Sequence, residues 1–199
     1  MADKTTVRIP RDRRADWAVV AVLAVALLLG WAVMAGAQGQ RKAYTNDAAG
    51  LTVEYPQGWL LKPAGDLAFQ ALDADSGDFK TTYQVRTTPI DATGGITQAL
   101  TLALNNASLA RAQEGTAYQP FDIAEGDPMA GRPTMEASYV YVVAGRDLFV
   151  QVWPVVVEGL DLAVAKGDKA YIFSLLAAHD AFQAAVPGFR RFVESAELP

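Results

Sequence analysis

Residues 136–177 read EASYVYVVAGRDLFVQVWPVVVEGLDLAVAKGDKAYIFSLLA. Apolar and polar residues alternate with a period of two over 136–143, 148–157, 160–165 and 170–177, which is the pattern of half-buried strands. Between these runs stand the turn residues Gly145-Arg146-Asp147, Glu158-Gly159 and Gly167-Asp168. Connections this short can join only antiparallel neighbours, so the stretch predicts an antiparallel meander.

Upstream the same logic predicts more strands. Residues 42–45 and 51–55 flank the turn Asn46-Asp47-Ala48-Ala49-Gly50 as a hairpin that ends at Pro56-Gln57-Gly58-Trp59. Residues 67–72 and 79–87 form a second pair around Asp73-Ala74-Asp75-Ser76-Gly77-Asp78. Two helical patterns complete the chain. Ile96, Leu100, Ala103, Leu104 and Ala107 recur on one helix face, with Gly115 placed for a left-handed C-terminal residue. Phe182, Val186, Phe189 and Val193 form a second stripe, on a helix that starts near His179-Asp180 as N-cap and that Pro187-Gly188 should kink or split. Strands grouped in hairpins and covered by segregated helices define an α+β domain, a mainly antiparallel sheet flanked by helices.

The N-terminal part differs in kind. From Trp17 to Ala37 the sequence WAVVAVLAVALLLGWAVMAGA carries no charge and, at about 1.5 Å per residue, matches the roughly 30 Å hydrocarbon core of a bilayer. Five basic residues precede it (Lys4, Arg8, Arg11, Arg13, Arg14), whereas only Arg41 and Lys42 follow closely. The positive-inside rule therefore predicts a cytoplasmic basic tail at 1–16, a transmembrane helix at 17–37, a linker at 38–43 and an extracytoplasmic domain at 44–199. Ala35-Gly36-Ala37 before Gln38 also fits a cleavage site, which would make 17–37 a signal sequence and the domain a secreted one. The length of the apolar run favours an uncleaved anchor in the cell membrane. With so short a linker, integral membrane proteins are the expected partners.

Charge and composition narrow the function further. Of 17 Lys and Arg and 22 Asp and Glu in the chain, 12 and 19 lie beyond residue 37, a formal charge of −7. No basic footprint for nucleic acid exists. With no cysteine, thiol chemistry and Cys-ligated metals are excluded. His179 is the only histidine, which excludes a multi-histidine metal site, and no nucleophile elbow or phosphate loop accompanies it. It reads as a helix cap, and the chain reads as no enzyme. Asp73, Asp75 and Asp78 supply the oxygen ligands that calcium favours, although Gly77 and Gln84 break the EF-hand pattern, so this loop reads equally as a polar turn. The expectation is no cofactor, with calcium at this loop as the alternative. Leu102 and Leu109, spaced i, i+7 opposite the apolar stripe of the first helix, are candidates for contact with a partner protein. Trp59 and Trp153, near prolines at strand ends, are expected in the core.

Four local motifs stand out: Tyr55-Pro56-Gln57-Gly58-Trp59 after the hairpin, Gly131-Arg132-Pro133 before Glu136-Ala137-Ser138-Tyr139-Val140-Tyr141, Ala170-Tyr171-Ile172-Phe173, and Phe189-Arg190-Arg191-Phe192-Val193-Glu194-Ser195 in the closing helix. Together they resemble the PsbP-like family of photosystem II lumenal subunits and their bacterial relatives, which share a fold with the Ran-binding Mog proteins. The resemblance spans about residues 42–198. It implies an α/β/α sandwich that works by docking on a larger assembly, and it supplies no catalytic residue. The function expected is thus a membrane-tethered accessory or assembly subunit on the extracytoplasmic face of a membrane protein complex. An exported module binding a small ligand or cation is the alternative.

Overall fold

The computed structural model describes residue 17 and residues 20–30, 40–63, 65–114, 116–143 and 153–198. The chain divides into two units, Met1–Gln40 and Arg41–Pro199. In the first, residues 20–30 form a helix, α1, whose aliphatic side chains are exposed. Among the described residues no helix is long and apolar enough to cross a membrane. Apart from Trp17 and α1, the apolar run at 17–37 lies outside the described residues, as does the basic tail.

The second unit is a three-layer sandwich. Strands β1 (Arg41–Asn46) and β2 (Leu51–Pro56) pair as a hairpin in the register Asn46↔Leu51. Asn46 Oδ1 accepts from the Ala49 amide at 3.1 Å, and Gly50 takes φ 62°, where an L side chain would be strained. The main sheet contains β3 (Leu60–Leu61), β4 (Phe69–Leu72), β5 (Thr82–Pro89), β6 (Thr116–Met129), β7 (Arg132–Val143), β8 (Val155–Lys166) and β9 (Lys169–Ala178). Their spatial order is β3-β4-β5-β9-β8-β7-β6, antiparallel throughout. Helix α2 (Ile96–Glu114) covers one face; helix α3 (His179–Glu194) and the hairpin cover the other.

Strand alternation assigns the two faces. Leu162 and Val164 of β8, with Phe173 and Leu175 of β9, pack toward α3, whereas Ala163 and Ile172 pack toward Leu100, Ala103 and Leu104 of α2. The α3 side is aromatic: Phe192 lies 5.3 Å from Phe69, 4.9 Å from Tyr83 and 6.0 Å from Phe173 between ring centroids.

Several expectations are corrected. Glu158-Gly159 is not a turn. Gly159 sits within β8 opposite Tyr139, and a Cβ there would lie 2.2 Å from the Tyr139 ring, so glycine is required by close approach rather than by chain reversal. β6 was not expected at all. It is an edge strand with mostly exposed residues, two prolines and three register irregularities, so no alternation marks it. His179 does not cap α3. The N-cap is Ala178, with no side-chain cap, and His179 instead meets Glu158. Pro187-Gly188 does not split the helix, which runs unbroken from His179 to Glu194 with Phe182, Phe189, Phe192 and Val193 buried on the sheet. Trp59 does pack on the core, 4.3 Å from the Tyr83 ring, but Trp153 is 77% exposed. Gly115, the turn at 145–147 and residues 148–152 lie outside the described residues.

Candidate functional site

Arg111 falls on the inward stripe of α2, one turn beyond Ala107, and so carries a charge into the interior. The sheet answers it. Asp161 on β8 and Ser174 on β9 are register partners facing α2, both almost fully buried. Arg111 Nη1 pairs with Asp161 Oδ2, and Nη2 donates to Ser174 Oγ at 2.9 Å. The guanidinium also lies 4.7 Å over the Tyr139 ring, whose hydroxyl donates to Asp161 Oδ1 at 3.2 Å. Burial opposes the charge on Arg111, but the Asp161 carboxylate outweighs it and holds the guanidinium charged. Burial, then the Asp161 charge, push the Tyr139 hydroxyl well above its ordinary value. Tyr139 therefore stays neutral and works as a donor.

Around this network lies a shallow cleft of about 250 Å³ between α2 and β6, lined by Asn105, Ser108, Tyr118, Phe121, Tyr139 and Asp161 among others. Ser108 Oγ and Tyr118 Oη lie 2.8 Å apart across it. Burial raises the Tyr118 hydroxyl above its usual range. Among the described residues no buried side-chain nitrogen or oxygen lacks a partner. A saturated network of this kind fixes α2 on the sheet.

The outward face of α2 is the opposite in character. Leu102 and Leu109 are 60% and 65% exposed, and the residues beside them on that face, Gln98, Asn105, Asn106 and Gln113, are polar but uncharged. Phe121, across the cleft on β6, is 63% exposed. The structure thus brings the two sequence-predicted leucines onto one open helix face.

In that loop Asp73 Oδ1 accepts from the Asp75 amide at 3.0 Å, and Ser76 Oγ bonds the Asp73 carbonyl at 2.8 Å and receives the Thr81 amide at 2.8 Å. These bonds fold the turn on itself. Among the described residues no three His, Cys, Asp or Glu side chains gather to hold a metal ion. His179 is largely exposed, and its Nδ1 contacts Glu158 Oε1 with no nucleophile in the pair.

No protein-family model matches the chain, and no curated protein matches it in sequence. Solved structures do. Cyanobacterial PsbP (CyanoP) from Synechocystis superposes with a TM-score of 0.58 at 14% identity, covering 80% of this chain and 92% of its own. LpqN, involved in cell envelope biogenesis of Mycobacterium tuberculosis, gives 0.50 at 14% identity over 80% of this chain and 91% of its own. The fold is therefore PsbP-like, as the local sequence motifs implied.

Proposed function

We propose that this chain is a non-catalytic accessory or assembly subunit, tethered to the membrane by residues 17–37 and docking on the extracytoplasmic face of a membrane protein complex. The observation that carries the reading is the outer face of α2, where two leucines stand open to solvent on a helix whose Arg111 is already paired with Asp161. The two leucines stand on one side of the helix two turns apart, so a single partner surface can reach both. The apolar, uncharged run at 17–37 supports the tether, and the PsbP-like fold is compatible with work by surface contact rather than chemistry.

Two measurements test it. Alkaline carbonate extraction should leave the full-length chain in the membrane pellet, and release into the supernatant would remove the tether. Native separation of detergent extracts should show the wild type migrating with other integral proteins, and Leu102→Asp with Leu109→Asp should lose them. Co-migration untouched by the double substitution would move the contact elsewhere, and migration as a free monomer would end the docking reading. A ligand-binding module is the second reading, favoured by the cleft beside α2 rather than by the loop at Asp73, Asp75 and Asp78. For that loop, calorimetric titration with calcium is expected to give no heat; a saturable signal lost in Asp75→Asn would restore a cation site.

A further inference from the structure

We infer that the cleft between α2 and β6 binds a small organic cation, an amine carried on a single apolar ring. The inference rests on the ligand-module reading above and names the class of ligand. Two irregularities of β6 build the cleft. Pro120 pairs with Tyr139 and Ile123 with Ala137, so Phe121 and Asp122 together stand opposite the single residue Ser138. In a regular strand these neighbours would point to opposite faces of the sheet, whereas in this bulge both line the cleft. A second bulge lies between Thr116 and Gln119, where Ala117 takes φ 55°, a conformation unfavourable for a residue with a Cβ. The residue after it, Tyr118, forms the adjoining wall. The two bulges thus turn two rings and a carboxylate onto one space of about 250 Å³.

The lining decides the sign of the ligand. It contains two carboxylates, Asp161 and Asp122, and no Lys or Arg. Asp161 is held by Arg111 and Tyr139, but the exposed Asp122 carboxylate has no partner among the described residues. The charge left over in the cleft is therefore negative, and the −7 of the chain beyond residue 37 deepens that potential. Phosphates and carboxylates are repelled, whereas an ammonium gains an ion pair with Asp122. The rings act in the same direction, since aromatic faces attract cations. Tyr139 already takes the Arg111 guanidinium 4.7 Å from its centroid, while Phe121, 63% exposed, and the half-buried Tyr118 still offer aromatic surface. The side chains of Asn105 and Ser138 add neutral oxygens that can accept from an N–H. Size sets the other limit: the cleft falls just below the roughly 300–1,000 Å³ of sites for drug-sized ligands, which suits one ring with a short amine arm.

Three probes that share one ring and differ in charge test this: phenethylamine, phenethyl alcohol and hydrocinnamate. With the full-length chain in nanodiscs of zwitterionic lipid, and empty nanodiscs as the blank, calorimetric titration should show saturable binding of the amine. Its affinity should exceed that of the alcohol at least about fivefold, and that of the carboxylate by more. Asp122→Asn should weaken the amine about fivefold and leave the alcohol unchanged, whereas Phe121→Ala should weaken both. Both side chains are exposed, so the fold should survive each substitution, and a thermal melt of each variant verifies it. Alcohol binding as tight as that of the amine, or amine binding untouched by Asp122→Asn, would overturn the cation. If Phe121→Ala then still removes that binding, the cleft remains a ligand site and only the ligand class is discarded. No saturable binding of any probe up to about 10 mM would end the inference and the ligand-module reading together.

Discussion

The two faces of the central sheet are held by different physics. On the α3 side, large rings of Phe69, Phe173, Phe189 and Phe192 interlock, and stability there is a matter of area removed from water. On the α2 side the apolar residues are smaller, mostly alanine with Leu100, Leu104 and Ile172, and a directional cluster of Arg111, Asp161, Ser174 and Tyr139 supplements them. Area is forgiving of a helix that slides; a guanidinium between two fixed acceptors is not. The difference teaches that α3 provides most of the cohesion, whereas α2 is aimed, so that its outer leucines stand at a fixed place.

The comparison can be broken in order of expected effect. Phe192→Ala empties the centre of the aromatic side and should cost about 4 kcal/mol in chemical denaturation. Asp161→Ala strands the Arg111 charge and should cost about 3 kcal/mol, yet Asp161→Leu combined with Arg111→Leu should recover most of it, since a buried pair replaced by apolar groups is often neutral. If the double variant is as unstable as the single one, the network is held by more than its charge balance. Gly159→Ala drives a methyl into the Tyr139 ring and should cost about 2 kcal/mol, a loss that a true turn glycine with normal φ would not show.

The smallest effect is a pH slope. Tyr139 and Tyr83 are both raised by burial, Tyr83 to about 12, so the folded state keeps these protons when the unfolded chain releases them near pH 10. Their stabilisation is complete below about pH 10 and is lost as pH rises through the folded values. Tyr139→Phe should flatten this alkaline decline while costing about 1 kcal/mol at neutral pH through its lost bond to Asp161. An unchanged slope would exclude Tyr139 as its source.

Legibility in the sequence follows the same division. The aromatic side could be read because Phe182, Phe189 and Val193 repeat at helical spacing and β2 alternates cleanly. The inward stripe of α2 and its outward leucines were legible for the same reason. The polar network was not, because its hydrogen-bonded partners stand 22 to 63 residues apart and meet only in the folded chain. One signal was available: Arg111 extends the stripe of Leu104 and Ala107, and a charge on a buried stripe demands a partner from the sheet. Asp161, a carboxylate inside an apolar strand, was the matching half. β6 escaped notice because a strand exposed on its open side need not alternate, and Gly159 misled because glycine marks both turns and close approaches.

The irregular course of β6 also bears on solubility. A fourteen-residue strand at the margin of a sheet would ordinarily be a template on which any extended polypeptide could crystallise, the first step toward cross-β aggregates. Here Pro120 and Pro128 have no amide to offer, and the three register breaks spoil the regular spacing that an added strand would need. The opposite margin, β3, is only two residues long. With neither margin open to recruitment, the sheet stops where it stops, and a surface rich in exposed apolar groups can be kept without inviting fibrils.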